Sequence, residues 1–222
     1  QKRLLRDISH ELRSPLARMS VALELARQRS GNEASGALER IEVEANQLNE
    51  MIGQLLSLAQ LETDTGSYRQ ERFDLSALLR LVVQDADFEA KGHGRAVEIT
   101  FCDQVQIEGP EEMLRRAIEN VVRNAVKYTY EGTTVNVSLQ VDKGNQRVQL
   151  RVCDQGPGVP QELLEKLFEP FFRVADARDR ESGGTGLGLA IADRAIRLSG
   201  GTIRAMNRPE GGLEVLISLP LY

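Results

Sequence analysis

The stretch Ile8-Ser9-His10-Glu11-Leu12-Arg13-Ser14-Pro15-Leu16 sets a histidine beside a carboxylate within a helical pattern. Around it Leu5, Ile8, Leu12, Leu16, Met19, Leu23 and Ala26 recur in three- and four-residue steps, the mark of a helix with one apolar seam. At about 100° per residue, His10 lies roughly 160° from both Ile8 and Leu12, away from that seam. A core histidine would sit in the seam, so this imidazole meets water and is available to a partner. Pro15 removes an amide donor from the same pattern, and a bend beside His10 is expected.

A second seam follows at Leu38, Ile41, Ala45, Leu48, Ile52, Leu55 and Ala59, in strict three-four steps that suit a left-handed bundle. Between the seams Ser30-Gly31-Asn32-Glu33-Ala34-Ser35-Gly36 supplies small, turn-forming residues. The two helices therefore form an antiparallel hairpin, and a homodimer making a four-helix bundle is the economical way to bury both stripes. A bare dimerisation hairpin would explain the seams equally well, but it leaves His10-Glu11 without a purpose.

Composition narrows the rest. The 222 residues are 41% hydrophobic and 27% charged, with a net charge of −5, which describes an ordinary soluble protein. No basic run or aromatic-interleaved basic patch stands out, which argues against direct nucleic-acid binding. No apolar run approaches the ~20 residues of a membrane helix. Because the chain opens on Gln1 inside a helical pattern, a preceding segment is expected, and any membrane attachment would lie in it. Cys102 and Cys153 match no metal or redox spacing and are expected as buried, reduced strand residues.

After Thr63-Asp64-Thr65-Gly66-Ser67 the pattern changes from helical to mixed, which places a linker at 63–72 between a domain at 1–62 and another at 73–222. Helical periods at about 75–91 and 111–127 alternate with strands at about 96–101 and 105–108. Thr133, Val135, Val137, Leu139 and Val141 alternate with polar residues, Lys143-Gly144-Asn145 turns, and Val148, Leu150 and Val152 alternate again. A helix at about 187–199 and strands at 202–206 and 213–219 complete an α+β sandwich.

Four constellations in this second domain carry chemistry. Asn120, Asn124, Lys127 and Tyr128 share one face of a helix whose other face, Ile118, Val121, Val122, Ala125 and Val126, is apolar. An asparagine carbonyl is a hard donor suited to Mg²⁺, and a lysine one turn on can meet phosphate. Asp154-Gln155-Gly156-Pro157-Gly158 ends a strand, where the carboxylate can accept from an exocyclic amine such as that of adenine. Phe168-Glu169-Pro170-Phe171-Phe172-Arg173 clusters aromatics in an aromatic-poor chain, as a hydrophobic latch or as core. Gly183-Gly184-Thr185-Gly186-Leu187-Gly188-Leu189 leads into a helix, and its exposed amides with the helix start form an anion cradle. The stretch from about Gln155 to Thr185, carrying Arg173, Arg178 and Arg180, reads as a lid. His93, in Lys91-Gly92-His93-Gly94, reads as a loop histidine.

Taken in order, these motifs resemble the cytoplasmic core of a bacterial two-component sensor histidine kinase over the whole chain. They match its H box at His10–Pro15, N box at Asn120–Tyr128, G1 box at Asp154–Gly158, F box at Phe168–Arg173 and G2 box at Gly184–Leu189. The run Ala177–Ile191 and the closing Leu219-Pro220-Leu221-Tyr222 are similar to those of envelope-stress members. The resemblance implies a dimerisation and histidine phosphotransfer domain followed by a Bergerat-type ATP-binding domain, in the cytoplasmic part of an inner-membrane protein. It further implies that His10 is phosphorylated from Mg-ATP with Glu11 as base and orienter, and that the phosphoryl group passes to an aspartate on a response regulator's receiver domain. By the same resemblance Asp154 holds adenine, Asn124 ligates Mg²⁺, and Asn120, Lys127, Tyr128 and the Gly184, Thr185, Gly186, Leu187 and Gly188 backbone surround the phosphates. Gly156 and Gly158 admit the ring, and Arg173 contacts the γ-phosphate. Ser14, one turn after His10, stands where relatives commonly have threonine, which implies a phosphatase activity toward the regulator. The competing expectations are another ATPase of the same nucleotide fold and a non-catalytic dimeric scaffold.

Overall fold

The computed structural model describes residues 35–63, 68–174 and 185–221, together with Val21, Leu23, Glu24 and Ala26, which are helical. The chain divides into two compact units, Gln1–Thr63 and Asp64–Tyr222. In the first, helix α1 spans Ser35–Thr63. Its seam is unevenly covered: Ala45 is buried, while Ile41, Leu48 and Leu55 stand 46%, 47% and 40% exposed. These three are seven residues apart, so they form one heptad row along the helix. Among the described residues no helix is long and apolar enough to cross a membrane.

The second unit opens with a short strand, β1 (Glu71–Asp74), which takes in the last two residues of the expected linker. Asp74 ends the strand and caps helix α2 (Leu75–Lys91), accepting from the Ala77 amide at 3.1 Å. Helix α2 buries Leu75, Leu78, Leu79, Val82, Val83, Ala86 and Ala90, a continuous three-four row. Its last turn is tied to strand β2 (Ala96–Cys102), because Asp87 Oδ1 accepts from the Val97 amide at 3.0 Å and Oδ2 meets Lys91 Nζ at 2.6 Å. Strand β3 (Gln106–Gly109) pairs antiparallel with β1, and helix α3 (Glu111–Tyr128) follows. Glu111 and Glu112 in its first turn complement the helix dipole.

The main sheet has five strands in the order β2-β4-β5-β7-β6, with β4 at Thr134–Asp142, β5 at Arg147–Cys153, β6 at Thr202–Asn207 and β7 at Leu213–Pro220. The β2–β4 pair is parallel and the other three are antiparallel. One face alternates inward: Val135, Val137 and Leu139 on β4, Val148, Leu150 and Val152 on β5, and Val215, Ile217 and Leu219 on β7 are at most 3% exposed. Against it pack α2, α3 and helix α4 (Gly188–Leu198). The result is the expected α+β sandwich, with its core between one sheet face and three helices. The stretch expected as a lid contains two 3₁₀ turns, Gln161–Leu163 and Glu165–Phe168.

Two expectations are corrected. Cys102 and Cys153 are reduced but only half-buried, because each stands at a strand end. Cys153 also points its thiol at Glu214 Oε2, 3.6 Å away, and burial with that carboxylate's charge pushes its pKa up to about 11. On α3, Ile118, Val121, Val122 and Ala125 are buried as expected, whereas Val126 is half-buried.

Candidate nucleotide site

The site is assembled at one end of the second unit, where β5, α3, α4 and the β6–β7 turn converge. Asp154 leaves the end of β5 and is 3% exposed. Its Oδ1 accepts from the amides of Gly156 at 2.8 Å and Leu213 at 3.0 Å, so one carboxylate oxygen fixes both its own loop and the start of β7. Its Oδ2 accepts no hydrogen bond among the described residues. Burial raises the Asp154 pKa above its ordinary 3.8, against the opposing pull of the two amides and of Arg208. A buried carboxylate with one oxygen committed and one in reserve suits recognition of an amine in a confined site.

Gly156 has a structural cause. A Cβ there would overlap the main-chain carbonyl oxygen of Tyr128, so only glycine lets the loop lie against the end of α3. That contact carries the line of the site along one helix. Tyr128 is followed one turn back by Asn124 and another turn back by Asn120, all half-buried, with Lys127 beside them. The Lys127 ammonium stands 5.2 Å from the Tyr128 ring centroid. The Asn124 side chain makes no hydrogen bond among the described residues, leaving its amide oxygen open to a ligand. Asn120 faces α4, since a Cβ on Gly188 would lie 3.3 Å from its Oδ1. Helix α3 therefore links the Asp154 loop to the first turn of α4.

The approach to α4 is also fixed. Thr185 Oγ1 accepts from the Leu187 amide at 3.2 Å, and the Leu187 side chain is fully buried, so only its backbone can serve a ligand. The Gly186 carbonyl accepts from the Phe171 amide at 2.9 Å. Phe171 takes a φ of +65°, unusual for a non-glycine residue, and the residue is 56% exposed. Core packing thus does not account for Phe171, and Arg173, two residues on, is exposed. His10, Glu11, Ser14, Arg178, Arg180 and Gly184 lie outside the described residues.

Three contributors were not singled out in the sequence. Thr129, buried just past α3, accepts from the Gln155 amide at 3.1 Å. Asn207 and Arg208, at the end of β6, bond the Asp154–Val159 loop from the other side. The stretch Asn207-Arg208-Pro209-Glu210-Gly211-Gly212 is readable as a turn, but its contact lies some fifty residues away in the chain, which local pattern does not report.

Residues 1–64 match the His Kinase A (phospho-acceptor) domain, and residues 109–222 match the histidine kinase-, DNA gyrase B- and HSP90-like ATPase family. The sensor histidine kinase CpxA of Escherichia coli (strain K12) is 43% identical over 100% of this chain and 47% of its own length. The signal transduction histidine-protein kinase BaeS of the same strain is 32% identical over 97% of this chain and 46% of its own. Full-length ShkA, solved in complex with AMPPNP, superposes with a TM-score of 0.83 at 26% identity, covering 99% of this chain and 46% of that one. The chain belongs to the histidine kinase-, DNA gyrase B- and HSP90-like ATPases and, with a phospho-acceptor domain ahead of the ATPase domain, to their sensor histidine kinases. It spans about half the length of the curated relatives it matches.

Proposed function

We propose that this chain is the kinase core of an inner-membrane sensor, in which residues 1–62 dimerise and carry the phosphoryl group, 63–72 link, and 73–222 bind ATP. His10 takes the γ-phosphoryl group of Mg-ATP and gives it to an aspartate of a response-regulator receiver domain. The single observation that carries this reading is the line from Asp154 through Tyr128 and Asn124 to Asn120 and Gly188. It offers a buried carboxylate for the base at one end, an uncommitted amide oxygen in the middle and a helix start at the other.

In this reading the second oxygen of Asp154 accepts from the adenine amine, and Gly156 and Gly158 admit the ring. Asn124 holds Mg²⁺, which when bound neutralises phosphate charge. Lys127 and Arg173 add positive charge around the phosphates, with Asn120, Tyr128 and the Gly184, Thr185, Gly186, Leu187 and Gly188 backbone beside them. An unperturbed imidazole, with a pKa near 6.5, is mostly neutral at pH 7 and therefore nucleophilic without further activation. His10 Nε2 attacks the γ-phosphorus, the bond to the β-γ bridging oxygen breaks, ADP leaves, and Glu11 holds the proton at Nδ1. Most of the acceleration comes from positioning and charge neutralisation. Ser14 supplies a hydroxyl one turn on that can orient water for removal of the regulator's phosphate.

The exposed row Ile41, Leu48 and Leu55 supports the homodimer, because heptad-spaced apolar residues left in water are what a second helical hairpin would cover. The test of the kinase reading is incubation with γ-labelled ATP and Mg²⁺. Wild type is expected to take up an acid-labile, alkali-stable label and His10→Gln none. Acid-labile label on the His10→Gln chain would sink the assignment.

A further inference from the structure

The loop that presents Asp154 is held from outside by the end of β6. Asn207 accepts from the Val159 amide through Oδ1 at 2.9 Å and donates from Nδ2 to the Val159 carbonyl at 2.6 Å. One side chain therefore satisfies both main-chain groups of Val159, as a neighbouring strand would. Next to it Arg208 Nη1 donates to the Asp154 carbonyl at 2.9 Å. The turn then closes so that Gly212 lies against that same carbonyl, where a Cβ would overlap it, and Leu213 donates its amide to Asp154 Oδ1. The loop is gripped at both ends, Asp154 and Val159, and Gly156 between them rests on Tyr128.

We propose that Asn207 is a positioning residue for base recognition: it clamps Val159 so that the Asp154–Val159 loop is pre-set for the nucleotide. The inference rests on the ATP reading above. Four facts lead to it. The Asn207 contacts are reciprocal rather than a single bond. Both are made to backbone in a loop of irregular structure, where no ladder hydrogen bond competes. Asn207 is an exposed residue at the end of an edge strand, so sheet stability does not require an amide there. The Arg208 guanidinium bonds the main chain of the carboxylate residue itself. A clamp of this kind acts before binding, by removing conformers in which the loop has drifted from α3, and raises affinity without touching the ligand.

The test compares wild type, Asn207→Ala and Arg204→Ala, the last altering an exposed side chain on the same strand that is outside the site. Two readouts are taken on the whole chain: calorimetric titration with Mg-AMPPNP and, in nucleotide-free protein, amide hydrogen exchange at Val159 and Gly156. Loss of two hydrogen bonds is expected to weaken AMPPNP about five- to tenfold in Asn207→Ala. Val159 should exchange faster, the melting temperature should stay close to that of wild type, and Arg204→Ala should behave as wild type. Unchanged Val159 exchange, or affinity within about twofold of wild type, overturns the proposal. Equal losses in Arg204→Ala would also overturn it, by assigning the effect to the strand in general. If wild type itself bound no AMPPNP, the ATP reading would fail, and exchange at Val159 would still decide whether Asn207 holds the loop.

Discussion

Helices α1 and α3 both carry apolar residues in three-four steps, yet their surroundings differ. On α3, Leu114, Ile118, Val121 and Val122 are at most 1% exposed beneath the sheet and α4, and the half-buried polar face lies at the site. On α1, Ile41, Leu48 and Leu55 keep about half their surface in water. Periodicity alone scores the two helices alike. The difference teaches that the second unit closes its core within one chain, while the described helix of the first leaves an apolar row uncovered, which the proposed homodimer would cover. Fully burying a leucine or isoleucine contributes about 1.5–3 kcal/mol, and roughly half of that is available at each of these half-covered positions, so covering three of them on each of two chains favours association.

The comparison is broken most severely by placing a charge in the uncovered row. Leu48→Asp should turn the dimer into a monomer in light-scattering measurements, while AMPPNP still titrates; a dimer that survives would show that the row is not its interface. The mirror experiment is Asp154→Asn. It keeps an oxygen for the two amides but turns an amide N–H donor toward the base, and AMPPNP affinity should fall at least about tenfold in calorimetry with the oligomeric state unchanged.

A finer test uses pH. Burial raises the Asp154 pKa, so the folded state favours its protonated form; the stability this confers is present below 3.8 and is lost as pH rises through the folded value. Near neutrality the ionised carboxylate is therefore a cost, and nucleotide-free Asp154→Asn should melt no lower than wild type. Binding wants the ionised form, so AMPPNP affinity should decline as pH falls through the raised value. Affinity that did not decline with acid would contradict this. The smallest effect is expected away from the site. Asp87→Ala leaves the Val97 amide unpaired and should cost about 1–2 kcal/mol in urea unfolding. The Lys91 ammonium and the Val97 amide lower the Asp87 pKa, so its contribution is present above 3.8 and fades as acid titrates the folded carboxyl below that.

What was legible follows from the range of the forces involved. Helices α2, α3 and α4 and strands β2 to β7 are written in apolar periods and turn residues, both local signals. The shared face of Asn120, Asn124, Lys127 and Tyr128 was legible for the same reason. Strand β1 was not, because four residues with Phe73 as their one buried position carry no period, and their pairing with β3 is non-local. The parallel β2–β4 pair, the Asn207 clamp on Val159 and the Thr129 contact to Gln155 are likewise settled by topology. Half-burial of Cys102 and Cys153 depended on where the strands end, which composition does not fix.

The most direct test of this division of labour is sedimentation equilibrium of the whole chain with saturating Mg-AMPPNP, read at wavelengths that count protein and nucleotide separately. The expected result is a species of twice the chain mass carrying two nucleotides. A monomer carrying one nucleotide would contradict the role given to the uncovered row of α1. A dimer carrying none would contradict the site built on Asp154 and Asn124.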